Sequence, residues 1–113
     1  SSFESTLVSD MERLELSFEY EPKDKHMTYM LDYIPDFVLP NGIVVEAKGF
    51  FDSTDRTKMI RVKQANPEAD IRFIFMANNK LNPRSKSRYS DWCLKYGFKY
   101  HIGKSIPESW WFE

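Results

Sequence analysis

One hundred and thirteen residues, 42% hydrophobic and 16% aromatic, are enough for one domain with a core of its own and exclude a disordered chain. No stretch nears the roughly 18 apolar residues of a membrane span, the start does not read as a signal peptide, and the lone Cys93 excludes a disulfide framework and points to a reducing, intracellular setting. The net charge of −1 hides an asymmetry: residues 1–45 hold nine acids and three bases, whereas between Arg56 and Lys104 twelve bases meet only Glu68, Asp70 and Asp91. That distribution suits a polyanion partner on one side, and equally a solvated helix face with a polar loop; charge alone does not choose between them.

In chain order, Phe3, Leu7, Val8, Met11 and Leu14 recur at helical spacing, which predicts an amphipathic helix over residues 2–14. Ser1 and Glu4 have capping-box spacing, so Glu4 reads first as a residue of the helix start. Phe18–Tyr20 reads as a short strand, Glu21–Lys25 as a polar turn, and His26–Tyr33 as a returning strand, with His26 a surface residue because nothing stands at metal-ligand spacing from it.

Residues 35–48, PDFVLPNGIVVEAK, read as two strands joined by a tight turn. Pro40-Asn41-Gly42 is a three-residue loop with proline where a type I turn wants it and glycine at the left-handed position. Pairing Leu39 with Ile43 sets Asp36 opposite Glu46, at a Cβ separation of roughly 4.5–5.5 Å. Side chains alternate, so Lys48 shares the face of Glu46. Two hard oxygen donors at that separation can hold Mg²⁺, and a lysine beside them can meet a phosphate or an activated water. The bland alternative is a surface salt-bridge triad of little energetic worth. Against it, Ile43-Val44-Val45 continuing to Gly49-Phe50-Phe51 is apolar on both faces, as in a strand covered on both sides, where charges are costly unless paired or metal-bound.

Asp52-Ser53-Thr54-Asp55 is rich in N-cap residues and opens a helix to about Gln64, with Arg56, Lys58, Arg61 and Lys63 partly around it and Met59, Ile60 and Val62 toward the core. Ile71–Met76 is an apolar run of strand length, which makes strand 43–48, helix 54–64 and strand 71–76 a right-handed βαβ crossover. Residues 77–88 have loop composition, and Lys80, Arg84, Lys86 and Arg88 among asparagines and serines suit phosphate contacts or plain solvation. A helix over Tyr89–Tyr96 ends at Gly97, Phe98–Ile102 is a last strand, and Pro107 begins a short turn whose Trp110 and Trp111 read as core closure rather than a base-stacking platform. Cys93 reads as a small core residue.

Pro35-Asp36 with Glu46-Ala47-Lys48 has the form of the PD-(D/E)XK nuclease signature. The wider match, PDFVLPNGIVVEAKGFF, DRTKMIRVKQANPEADIRFIF, SRYSDWCLKYGFKY and IPESWW, resembles the phage endonuclease I family of Holliday-junction resolvases over nearly the whole chain. The resemblance implies a single nuclease domain over residues 1–113 with a restriction-endonuclease-like α/β fold, a mixed central sheet flanked by helices. It implies a metal-dependent endonuclease that cuts four-way junctions and branched DNA, leaving a 5′-phosphate and a 3′-hydroxyl, in the host cytoplasm during phage infection. It further implies two Mg²⁺ ions per active site, with Mn²⁺ as a substitute. Asp36 would be the shared ligand, Glu46 and the Ala47 carbonyl would complete the first metal's site, Glu4 would help hold the second, and Lys48 would orient or help activate the attacking water.

The family's basic N-terminal arm and C-terminal tail have no counterpart between Ser1 and Glu113, so the grip on DNA falls to Arg56, Lys58, Arg61, Lys63, Lys80, Arg84, Lys86 and Arg88. The family is a strand-swapped homodimer, but residues 21–34 are shorter than its bridging region, which leaves open a chain folded back as a monomer. Two alternatives stand beside the resolvase reading. One is a sequence-specific homing or nicking endonuclease on the same core, and the other is a DNA-binding module without catalysis.

Overall fold

The computed structural model describes residues 1–23 and 33–113, so the strand expected over residues 26–33 lies almost wholly outside the described residues. The first helix forms as α1, Ser2–Arg13, because Phe3, Leu7 and Met11 give it one buried stripe and Ser1 caps it, accepting from the Glu4 N–H at 3.2 Å. The strands are β1 (Glu19–Tyr20), β2 (Phe37–Val38), β3 (Val44–Lys48), β4 (Ile71–Phe75) and β5 (Lys99–Ile102). They form one sheet in the order β1-β2-β3-β4-β5, antiparallel from β1 to β3 and parallel from β3 to β5.

The hairpin adopts the register the turn chemistry demands. Phe37 pairs with Val45 and Val38 with Val44. The Gly42 N–H donates to the Leu39 carbonyl at 2.9 Å, with Gly42 at φ +90°, a conformation that costs a residue with a Cβ about 1 kcal/mol or more. Asn41 Nδ2 donates to the Trp110 carbonyl at 2.7 Å, which ties the hairpin tip to the C-terminal turn.

The helix α2, Ser53–Ala65, starts on Asp52, whose Oδ1 accepts from the Asp55 N–H at 2.9 Å, and it links the parallel pair β3 and β4. The helix α3, Tyr89–Tyr96, ends on Gly97 at φ +77° and leads into β5. A short 3₁₀ turn covers Glu108–Phe112.

Both faces of the sheet are covered, so β3 and β4 are buried almost throughout. On one side Met59 and Val62 of α2 and Tyr89, Trp92 and Cys93 of α3 pack with Val44, Phe73 and Phe75. On the other, Phe3, Leu7 and Met11 of α1 and Trp110 pack with Phe37, Val45 and Ile74. This mixed sheet with three helices is compatible with a restriction-endonuclease-like fold. Cys93 is fully buried, and burial pushes its thiol up to about 12, which leaves it an inert core residue. Trp111 donates from Nε1 to the Ser17 carbonyl at 2.8 Å and Trp110 is 8% exposed, so both close the core.

One expectation fails at the end of β3. The strand stops at Lys48, and although Phe51 is fully buried, Phe50 leaves 73% of its surface in water. The chain leaves the sheet after Gly49 to begin α2, and only one of the two phenyl rings can turn inward.

Candidate active site

The antiparallel register sets Asp36, just before β2, across from Glu46 in the middle of β3, and the hydrogen bonds confirm it. The Asp36 N–H donates to Glu46 Oε1 at 3.2 Å, and Asp36 Oδ2 accepts from the Ala47 N–H at 3.0 Å. Glu46 is only 3% exposed, and the same Oε1 also accepts from the hydroxyl of the buried Tyr33. Alternation places Lys48, half-buried, on the face of Glu46.

Glu4 arrives from the first turn of α1. Its Oε2 accepts from Ser1 Oγ at 3.0 Å and its Oε1 from the Tyr20 hydroxyl at 3.3 Å. The capping role read from the sequence is therefore real and does not keep the carboxylate from the site. Among the described residues, oxygens of Glu4, Glu21 and Asp36 lie within 4.8 Å of one another.

Sequence reasoning missed Glu21 and Tyr33. Glu21 is delivered by the ladder: β1 pairs Tyr20 with Phe37, and the Glu21 N–H donates to the Asp36 carbonyl at 2.8 Å. The strand at Phe18–Tyr20 was legible, but nothing in the sequence said that it pairs with the Asp36 strand. Had that partner been known, Glu21 would have fallen opposite Asp36.

The electrostatics are those of a dry, acid-rich niche. Burial pushes Glu46 up to about 7, against the pull of Lys48, the Asp36 N–H and Lys58. Burial pushes Asp36 up to about 6, against the Ala47 N–H; Glu4 adds to the rise and Lys48 opposes it. Partial burial and the Glu4 and Glu21 carboxylates raise the Tyr20 phenol to about 12. Lys48 and Lys58 thus do not offset the burial of these acids, and hard oxygen donors of this kind are the type that accepts a divalent cation. Among the described residues, the carboxylates of Glu4, Glu21 and Asp36 are close enough together to hold such an ion, and Glu46 stands outside that group.

The eight bases expected to grip DNA divide. Arg56 donates from Nη1 to the carbonyls of Phe51 at 2.7 Å and Leu81 at 3.3 Å, bracing the loop after β4 against the start of α2. Lys63 reaches the Gly97 carbonyl at 3.4 Å and lies over the Phe98 ring, so it packs α2 against the end of α3. Lys58 is exposed, with its ammonium 5.3 Å from the centre of the Tyr33 ring, which places it beside Glu46. Arg61, Lys80, Arg84 and Lys86 are exposed, and Arg88, also exposed, spends Nη1 on the Asn78 carbonyl at 2.9 Å.

Comparison with known proteins places the whole chain in one family. The family model described as Phage endonuclease I matches residues 1–113. The chain belongs to the phage endonuclease I family. It is 37% identical over 119 residues to Endonuclease I of Escherichia phage T7, covering 97% of this chain and 76% of that protein. It is 36% identical over 116 residues to Endodeoxyribonuclease 1 of Enterobacteria phage T3, covering 95% of this chain and 72% of that one. An endonuclease I chain is an enzyme, and the charged niche across β2 and β3 is its candidate active site. Among the described residues no helix is long and apolar enough to cross a membrane.

The raised carboxyls make a prediction for the metal-free protein. Each is protonated more readily in the folded than in the unfolded chain, so its contribution to stability is full below about pH 4 and is lost as pH rises through about 6 for Asp36 and about 7 for Glu46. Glu46 alone, raised from 4.5 to about 7, costs roughly 3 kcal/mol over that window. Denaturant midpoints in a chelator should therefore fall between pH 4.5 and 7.5, and Mg²⁺ should restore much of the loss at pH 7.5. A flat profile, or one that Mg²⁺ leaves unchanged, would contradict the dry-niche description.

Proposed function

We propose that this endonuclease hydrolyses phosphodiester bonds in DNA with divalent cations held at Asp36, Glu46 and Glu4, and that its preferred substrate is branched DNA, the four-way junction above all. One observation carries the chemistry: Asp36 and Glu46 are joined across β2 and β3, with Lys48 on their face, in a niche whose acids are under-neutralised. Asp36, Glu46 and the Ala47 carbonyl are assigned one Mg²⁺. Glu4 is assigned a second, with Glu21 as an additional donor supported by its closeness to Glu4 and Asp36. Mn²⁺ substitutes.

Bound there, the cations supply Lewis-acid polarisation of the phosphate and a water of lowered pKa. The rest is the work of the chain. Tyr33 and the Asp36 N–H fix Glu46 through Oε1, which leaves Oε2 for a ligand. Lys48 holds a non-bridging phosphate oxygen and orients the attacking water, adding positive charge where negative charge grows in the transition state. Lys58 and the exposed bases of residues 80–88 hold flanking phosphates. Paired cuts in opposing arms need two active sites, so the working form is a homodimer, for which exchange of the segment before Pro35 is a low-cost route. The site of action is the host cytoplasm during phage infection.

The test is a gel assay with a labelled four-way junction and a linear duplex of matching sequence, each with Mg²⁺, Mn²⁺ or EDTA. Paired cuts in opposing arms of the junction, lost in EDTA and kept in Mn²⁺, are expected. Cutting of the duplex at one sequence would replace the junction reading with a site-specific one, and cleavage in EDTA would remove the metal.

A further inference from the structure

Phe50 breaks the burial pattern of its stretch. It stands two residues beyond Lys48 and next to the fully buried Phe51, yet 73% of its surface is in water. A phenyl ring in that position does little for the fold, since burying one stabilises by roughly 1.5–3 kcal/mol relative to leaving it exposed.

The ring forms one wall of an open depression of about 640 Å³. Opposite it runs the loop Asn79–Pro83, and Asp52, Ser53, Arg56 and the buried Tyr89 complete the lining. The depression lies at the C-terminal ends of the parallel strands β3 and β4, where open α/β sheets hold their ligands. It is also adjacent to the candidate active site: the Met76 N–H donates to the Lys48 carbonyl at 3.3 Å, so the loop after β4 begins beside the strand that carries Lys48.

Its charge suits a polyanion. Lys80 and Arg56 line it against the single acid Asp52, whose Oδ1 caps α2, and Arg84 and Lys86 stand exposed on the same loop. A basic rim around an exposed aromatic face is the combination that takes up a nucleotide out of its stack: phosphates go to the bases and the nucleobase to the ring. An apolar pocket with no basic rim would not favour nucleic acid.

We infer that this depression receives one unstacked nucleotide of the DNA strand next to the scissile phosphate, its base against Phe50 and its phosphate on Lys80. The inference rests on the DNA-endonuclease reading. It also supplies a physical source for a preference for branched DNA, because unstacking a base costs less at a branch point, where the continuous stack of the duplex is already interrupted.

The test titrates a fluorescein-labelled four-way junction and a matching duplex, in EDTA, with the wild type, Phe50→Ala and Phe50→Trp. A second junction carries 2-aminopurine beside the cut position found with the wild type in Mg²⁺. Phe50→Ala should weaken junction binding by roughly tenfold or more, leave the duplex nearly unchanged, and lose the change in 2-aminopurine fluorescence that the wild type produces. Its salt dependence should match the wild type, since a phenyl ring displaces no counterions, and Phe50→Trp should recover the affinity. Because the side chain is exposed, the thermal midpoint should not move.

Wild-type affinity for both DNAs in Phe50→Ala overturns the inference. So does equal loss on both DNAs together with a shift from dimer to monomer in sedimentation, which makes the ring a subunit contact. A wild type that binds junctions but cuts no DNA in Mg²⁺ brings down the reading of function and not the base-stacking result. A wild type that binds no DNA brings down both.

Discussion

Glu46→Ala abolishes cleavage, by a factor of roughly a thousand or more, while junction affinity measured in EDTA stays within about threefold of the wild type. The expectation follows from how little of Glu46 serves the surface: it is 3% exposed, and its contacts are the Tyr33 hydroxyl and the Asp36 N–H. In the proposed mechanism it faces the reacting phosphate and not the flanking DNA. Turnover like the wild type in this variant would sink the proposed site. Stability gives an independent check. Alanine strands the Tyr33 hydroxyl, at a cost of about 1–3 kcal/mol, but at pH 7.5 it also removes a buried carboxylate whose ionisation costs roughly 3 kcal/mol, so the two nearly cancel. At pH 5, where Glu46 is protonated, only the loss remains. Glu46→Gln keeps an acceptor for Tyr33. It should be as inactive as alanine, yet more stable than the wild type at pH 7.5 without metal and no more stable at pH 5.

Arg72→Ala should cost about 3 kcal/mol of stability with the active-site chemistry untouched. Arg72 sits in β4 at 2% exposure, on the sheet face of Ile74, with its guanidinium 5.1 Å from the centre of the Trp110 ring. It donates to Asp70 from Nε at 3.0 Å and Nη2 at 2.8 Å, and to Glu113 from Nη1 at 2.7 Å and Nη2 at 2.8 Å. The guanidinium holds both carboxyls down, that of Glu113 to about 2. Both acids are themselves largely open to water, so screening keeps the ion pairs modest, and most of the loss comes from emptying the space of a long side chain. Arg72→Met, which keeps the stem, should therefore lose less than half as much. Urea midpoints of the three proteins decide this. Equal losses for Met and Ala would mean that the charges, and not the packing, carry the energy.

The niche was legible where its geometry is local. Pro40 and Gly42 set the turn, the turn sets the register, and a period of two puts Lys48 with Glu46; none of these steps needs the rest of the molecule. The family resemblance added Glu4 and the Ala47 carbonyl, and the structure brings Glu4 to Asp36. The eight bases were the weak part of the reading. Charge counts do not reveal that Arg56 and Lys63 spend their donors on the chain's own carbonyls.

The helices, the hairpin register and the βαβ unit follow from local signals, because caps, turn residues and hydrophobic periods act over a few neighbouring residues. Which strand edge meets which was settled by the packing of the whole chain. That choice brought Glu21 to Asp36 and Tyr33 to Glu46, joined Arg72 to Glu113 across 41 residues of chain, and left Phe50 rather than Phe51 in water. Such pairings depend on the packing of two cores against one sheet, and local preferences are nearly silent about that packing.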